Sequence, residues 1–310
     1  MRYNITLLRK DIKFWLVNTK YRFRYRLRRA DRRNVFCFIF RPEQAHAGIA
    51  DRLKAVISLY NLTKSNGYEF KLYFETPFML TDYLHAKTGW PLKLEELEYS
   101  MLDTKIVNET NWHRLKALQP NKQYHCYNYA GNDLPSVFPN TGYRWSSLFH
   151  ELFEPSRKLQ DAYEALNLSQ TPYVSVHLRF VNALENFEKT FFENHLKTED
   201  ERNGLIDKCQ KGIQEIIDDN PDKEVYVFSD SKIFLDSLKD MSVHVLEHKT
   251  IGHSNEVGND DAHLKAFLDL YVMSKSVAVY RILTPELYQW SCYAMLAARI
   301  GDIPFMEKRI

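Results

Sequence analysis

Apolar residues in this chain fall into short runs that alternate with stretches of helical period, and that alternation sets the first expectations. The run Asn34-Val35-Phe36-Cys37-Phe38-Ile39-Phe40 is almost continuously apolar, as suits a parallel strand covered on both faces. After a Gly-bearing turn, Leu53, Val56, Ile57, Tyr60 and Leu62 recur at helical spacing and predict a helix over about 50–64, stopped by Asn66-Gly67. Residues 69–74 predict a second strand, so the simplest arrangement is a right-handed βαβ unit. Residues 81–150 are rich in turn formers, among them Pro91, Pro120, Gly131, Pro135, Pro139 and Gly142, and predict one further strand at 124–129.

A helical period returns over 148–166, and its polar end leads into a strand at 172–180. There Val174, Val176 and Leu178 alternate with Ser175, His177 and Arg179, which puts His177 and Arg179 on one face. Beyond it, helices over 200–218, 232–239 and 260–274 alternate with strands over 224–228, 243–246 and 277–282. Thr284-Pro285-Glu286 reads as a helix start and Gly301 as a stop, predicting a last helix that runs to about residue 300. The fold class is α/β. At 310 residues the chain exceeds what one core serves, and two α/β domains are expected, over 34–167 and 168–310, behind an arm of residues 1–33.

Charge changes this picture at one end only. With 42 Lys and Arg against 40 Asp and Glu, the net charge of +2 argues against a molecule-wide field for nucleic acid. Yet residues 1–33 hold twelve of those cations and only Asp11 and Asp31 in opposition. Interleaved with Phe14, Trp15, Tyr21, Phe23 and Tyr25, this arm suits an anionic membrane surface, a partner or nucleic acid, and equally a packed or solvated helix. No apolar run is long enough to span a bilayer or to form a signal-peptide core, so a cytoplasmic chain, peripheral at the membrane face, is expected. Cys37, Cys126, Cys209 and Cys292 are widely spaced and form no metal or disulfide pattern.

Candidate chemistry gathers where strands end. His177 and Arg179, the triplet Ser229-Asp230-Ser231, and Thr284 each close an apolar run just before a turn or helix. In open α/β sheets ligands bind beyond the carboxyl ends of the strands, and an arginine there can grip a diphosphate with two parallel hydrogen bonds. Arg179 fits that role; it fits equally an arginine that caps its strand or pairs with a nearby carboxylate. Motifs for dinucleotide binding (G-x-G-x-x-G), the P-loop and the G-x-S-x-G elbow are absent, as is any Asp-x-Asp pair of the kind that holds a metal in many sugar transferases.

Taken together, Gly48-Ile49-Ala50-Asp51-Arg52-Leu53-Lys54, the strand VSVHLRF, the turn VYVFSDS and the segment VAVYRILTPELYQWSCYAMLA resemble the fucosyltransferase superfamily, over about residues 34–300. The resemblance implies a GT-B-like pair of Rossmann-type domains, with parallel sheets facing a cleft and the last helix packing back on the first domain. It also implies inverting, metal-independent transfer from a nucleotide diphosphate sugar, GDP-fucose above all, to a glycan or glycolipid of surface polysaccharide synthesis, with no further cofactor. Arg179 would hold the diphosphate and His177 line the nucleotide pocket. Ser229, Asp230 and Ser231 would lie beside the nucleotide, Thr284 and Ser291 near the phosphates, and Gly48, Asp51 and Arg52 across the cleft.

One departure stands out: Asn182 occupies the place of an expected Asp and cannot act as a base, which leaves Glu185 as the first candidate, with Glu188 and His253 behind it. The same departure keeps open a non-catalytic nucleotide-sugar or glycan-binding relative, and the basic arm keeps open a partner- or nucleic-acid-binding protein.

Overall fold

The computed structural model describes residues 27–40, 48–107, 115, 118–127, 144–185, 194–246 and 258–310. Residues 1–26 of the basic arm, Glu188 and His253 lie outside the described residues. In chain order the elements are β1 (Val35–Ile39), α1 (Ile49–Ser65), β2 (Glu69–Tyr73), β3 (Leu84–Ala86), β4 (Thr104–Val107) and β5 (Gln123–Cys126). They continue with α2 (Trp145–Leu152), β6 (Phe153–Pro155), α3 (Arg157–Ala165), β7 (Tyr173–Leu178), α4 (Glu199–Asp218), β8 (Glu224–Ser229) and α5 (Lys232–Asp236). The last are β9 (His244–Val245), α6 (Asp260–Ser274), β10 (Ala278–Leu283), α7 (Tyr293–Gly301) and β11 (Phe305–Arg309).

The chain divides into two units, and the division is not the contiguous one expected. Unit one takes residues 1–40, 58–73 and 90–141; unit two takes 41–57, 74–89 and 142–310, so the boundary passes through α1. Residues 142–167, expected with the first domain, belong to unit two.

Unit one is built on a four-stranded sheet in the order β2-β1-β5-β4, parallel throughout. All five residues of β1 are buried, which is why its sequence shows no alternation. The tail of the basic arm is fixed to this unit: Glu98 accepts the backbone N–H groups of Asp31 and Arg32 at 2.6 and 2.8 Å. The Arg32 guanidinium pairs with Glu69 at 2.9 Å and Glu96 at 3.0 Å.

Unit two is built on a five-stranded parallel sheet in the order β11-β10-β7-β8-β9. Counted from β7, the chain moves outward through β8 and β9, returns to the far side of β7 as β10, and continues to β11. That is the 3-2-1-4-5 arrangement of dinucleotide-type sheets, with the topological switch between β7 and β10. One face of the sheet is apolar. Val174, Val176, Leu178, Val225, Val227 and Ile282 pack on Leu205, Cys209, Ile213 and Ile216 of α4, and burial of each of its leucine and isoleucine side chains contributes about 1.5–3 kcal/mol. The other face is covered by α6 and α7: the Tyr173 hydroxyl donates to the Val272 carbonyl at 2.7 Å, and the rings of His177 and Tyr293 lie 5.4 Å apart.

Three expectations fail for identifiable reasons. The helical period over 148–166 breaks into α2 and α3, because 153–155 pair antiparallel with β3 and Ser156 caps a new helix through the Leu159 N–H. The last helix starts at Tyr293, not at Pro285. The Thr284 carbonyl already accepts Leu287 N–H and the Gln289 side chain, and Tyr288 N–H is drawn to the Arg179 carbonyl at 3.0 Å, so no helical ladder forms over 285–290. Finally β11, with Glu307, Lys308 and Arg309, forms a charged edge strand that lacks an apolar run to announce it.

Candidate active site

The candidate site lies past the carboxyl ends of β7, β8 and β10, within unit two. In-register pairing sets His177 beside Arg281 and Leu178 beside Ser229, so the strand ends are level. β7 is buried along its whole length; Arg179, the first residue beyond it, keeps a side chain 21% exposed.

Asp230 organises this region. Its carboxylate accepts the N–H of Phe180 at 2.7 Å and of Val181 at 2.8 Å, and pairs with Arg179 Nη1 at 3.1 Å. The backbone it grips is bent into an unusual shape: Val181 has φ of 57°, the left-handed region that a β-branched residue enters at about 1–2 kcal/mol. Strain of this kind persists only where surrounding contacts impose it, and two charge-assisted hydrogen bonds do so here. Ser229 and Ser231 are tied together as well, with Ser231 N–H donating to Ser229 Oγ at 3.1 Å. The Ser231 hydroxyl caps α5 and donates to Glu185 Oε1 at 2.7 Å.

The loop after β10 closes over the end of β7. Besides the Tyr288 bond to Arg179, Asn194 Nδ2 donates to the carbonyls of both Phe180 and Glu286, at 2.7 and 2.9 Å. Thr284 is buried and caps the Glu286 N–H at 3.2 Å. Ser291 is buried too, and its carbonyl accepts from Arg281, whose guanidinium also pairs with Glu307. The next residue, Cys292, stands at the N-cap of α7, and its side chain makes no capping hydrogen bond to the first turn.

From the first half of α1, Asp51 pairs with Lys54 Nζ at 2.7 Å, and Lys54 donates to Cys292 Sγ at 3.1 Å. Burial works against the Lys54 ammonium, but its bonds to Asp51 and Cys292 outweigh it and raise its pKa. Gly48 accepts the Asp51 and Arg52 N–H groups at the start of the helix, and a Cβ there would meet open space. Arg52 is placed differently from its expected role: it is buried, donates to the Thr76 carbonyl at 3.0 Å and lies over the Phe74 ring.

Beneath the strand ends runs a polar layer. Burial, and then the Arg179 charge, pull the His177 imidazole down to about 3, so it is neutral at pH 7. Tyr293 is held well above the ordinary phenol range by burial and by Asp269, which pairs with Lys265 along α6. Among the described residues, Ser175 Oγ, His177 Nδ1 and Arg281 Nε have no hydrogen-bond partner. Buried polar atoms left in this way mark positions where a ligand or water completes the set. Among the described residues no group of three or more His, Cys, Asp or Glu side chains could hold a metal ion, and no helix is long and apolar enough to cross a membrane.

The structure thus brings Arg179, Asp230, Ser229, Ser231 and Glu185 into one network, and ties Thr284 and Ser291 to it through the loop after β10. Sequence reasoning missed Lys54, Arg281, Tyr293 and the Lys265–Asp269 pair. A signal existed for two of them: Arg281 interrupts an apolar strand, and Lys265 and Asp269 stand four apart in a largely apolar helix.

A parallel sheet in the order 3-2-1-4-5, with polar residues gathered past its strand ends, is a doubly wound α/β arrangement, in which ligands bind beyond the carboxyl ends of the strands at the switch point. The solved structures narrow the fold further, to that of the GT-B-type fucosyltransferases. NodZ α-1,6-fucosyltransferase soaked with GDP-fucose matches with a TM-score of 0.54 and 13% identity, over 86% of this chain and 92% of that one. Fucosyltransferase NodZ from Bradyrhizobium gives 0.56 at 14% identity, over the same shares of the two chains. A mutant of Arabidopsis thaliana FUT1 in complex with GDP gives 0.55 at 14% identity, over 92% of this chain and 72% of that one. At such identities the likeness is one of fold. No sequence-family description matches the chain, and no curated protein matches it.

Proposed function

We propose that this protein is an inverting glycosyltransferase that takes a sugar from a nucleotide diphosphate donor, GDP-fucose in the first instance, and passes it to a hydroxyl of a glycan or glycolipid acceptor of surface polysaccharide synthesis. The observation that carries the reading is the position of His177 and Arg179 at the topological switch of a nucleotide-type sheet, in a chain with the fucosyltransferase fold. The neighbours carry GDP-fucose or GDP, which supports the donor class.

In this reading Arg179 faces the diphosphate. Its pairing with Asp230 makes that pair neutral as a whole, so the uncapped first turn of α7, with the Ser291 hydroxyl, supplies the remaining positive potential. Thr284 anchors the loop that carries Ser291, and His177 offers its unpaired Nδ1 to the nucleotide. Gly48 leaves room for the donor, and Asp51 steadies Lys54 beside Cys292. As the bond between the anomeric carbon and the phosphate oxygen breaks, the acceptor oxygen bonds to that carbon and its proton passes to Glu185, which the Ser231 hydroxyl holds in place. Cationic groups and a helix end balance the leaving charge, and no metal is assigned a part.

A thermal-shift and hydrolysis panel of nucleotide diphosphates and their sugars, run in EDTA, tests the proposal. Stabilisation by GDP with slow release of fucose from GDP-fucose is the expected result. Stabilisation without turnover across a broad acceptor panel would mark a binding protein, the reading that Asn182 favours. No response to any nucleotide would remove the enzyme assignment.

A further inference from the structure

Donor chemistry leaves the basic arm unused, and its described end, Leu27 to Arg33, is fastened within unit one to the turn that precedes β4. Ser100 Oγ donates to the Arg28 carbonyl at 2.6 Å and accepts the Leu102 N–H at 3.2 Å, while the Ala30 N–H donates to Asp103 Oδ2 at 3.0 Å. One hydroxyl thus joins the two segments. Leu27 precedes the bonded Arg28, and Met101 lies between the bonded Ser100 and Leu102, so the three apolar residues share a small area of surface. Their exposures are 84% for Leu27, 62% for Met101 and 49% for Leu102. Exposed aliphatic residues scattered singly are ordinary, whereas three gathered at one turn mark a contact surface.

The charge around this patch has one sign. Arg28, Arg29 and Arg33 are exposed, and Lys122 donates to the Leu102 carbonyl at 2.6 Å. Asp103 is buried and turned to the Ala30 N–H, which leaves Asp31 as the exposed acid of the 27–33 segment. In sequence, the residues that lead into Leu27 continue the pattern: positions 1–26 hold eight cations against Asp11 alone, and Tyr21-Arg22-Phe23-Arg24-Tyr25-Arg26 alternates aromatic rings with arginines.

Cations beside apolar side chains match the boundary of an anionic bilayer, where apolar groups enter the acyl edge and cations meet the phosphates. The alternation over 21–26 suits stacked bases as well; the aliphatic patch decides between them, because leucine and methionine offer bases no stacking platform. A protein partner fits less well, since charged residues are depleted at the centre of protein interfaces.

We propose that this corner of unit one docks on an anionic phospholipid surface, with Leu27, Met101 and Leu102 in the headgroup layer and Arg28, Arg29 and Arg33 on its phosphates. Donor chemistry stands on unit two, so the two readings succeed or fail separately.

The test is co-sedimentation of the full chain with vesicles of phosphatidylcholine alone and of equal parts phosphatidylcholine and phosphatidylglycerol. Three proteins are compared: native, Met101→Gln with Leu102→Gln, and Arg28→Gln with Arg29→Gln. The exchanged side chains are exposed, so thermal denaturation of both variants should match that of the native protein. The native protein is expected to bind the mixed vesicles and to be released in about 1 M salt, where the screening length falls to about 3 Å. Affinity should fall about tenfold in the apolar variant and about 25-fold in the arginine variant, about fivefold for each cation removed. No binding to mixed vesicles, equal binding to both vesicles, native affinity in the apolar variant, or tighter binding to a single-stranded oligonucleotide than to mixed vesicles would overturn the proposal.

Discussion

Arg179 and Asp230 meet at the ends of two neighbouring strands, 3.1 Å apart, with the same carboxylate holding the backbone of Phe180 and Val181. The aspartate is therefore committed first to the shape of the turn after β7 and only through it to any ligand.

Asp230→Asn keeps one acceptor oxygen but loses the charge that holds three donors. A loss of about 1–3 kcal/mol in urea denaturation is expected, together with weaker GDP binding as the Val181 turn relaxes. Unchanged stability would show that the turn does not need its carboxylate.

His177 gives the protein a pH dependence of calculable sign. Its folded value is about 3, below the 6.5 of an unperturbed imidazole, so between these limits the unfolded chain binds the proton and the folded chain does not. The contribution of His177 is complete above pH 6.5 and declines by about 1.4 kcal/mol per unit as pH falls toward 3. His177→Gln should show a correspondingly shallower acid slope in chemical denaturation from pH 6.5 to 4; identical slopes would place the imidazole in a wetter setting.

At Gly301 the constraint is space. A Cβ would stand 2.1 Å from the Ser274 carbonyl, where α7 ends against α6, so Gly301→Ala is expected to destabilise by about 3 kcal/mol. The left-handed residue that ends α7 is its neighbour, Asp302, with φ of 55°. For Asp302→Gly, relief of that conformation offsets the exposed pair with Arg144, and thermal denaturation should move by less than about 1 kcal/mol.

Gly48 separates fold from function. Open space surrounds the missing side chain, so Gly48→Ala should leave stability within about 0.5 kcal/mol. Reduced GDP binding in that stable variant would mark the position as one a ligand approaches closely; unchanged binding would remove Gly48 from the site.

What could be read from the chain follows from the physics of each element. Parallel strands buried on both faces announce themselves as apolar runs, so β1, β7, β8 and β10, and the polar residues that end three of them, were visible in advance. The contacts that decide the site were not. Asp230 reaches a residue 51 positions earlier, and the turn over 285–290 exists because Arg179 captures a hydrogen bond that a helix would have used. Thr284-Pro285-Glu286 carries a sound local helix signal, overridden by a tertiary contact. The unit boundary was hidden for a related reason: the chain passes between the units five times, and composition does not change where it does so.

Calorimetric titration of GDP, in EDTA, into the native protein, Arg179→Lys and Arg179→Ala puts the central claim at risk most directly. Denaturation of each variant comes first, because removing the guanidinium also strips buried Asp230 of its counter-charge, at about 1–3 kcal/mol. The account expects saturable binding to the native protein, a loss of about a hundredfold in folded Arg179→Ala, and partial recovery in Arg179→Lys, which restores the charge without the fork. GDP binding of native strength in folded Arg179→Ala would contradict it.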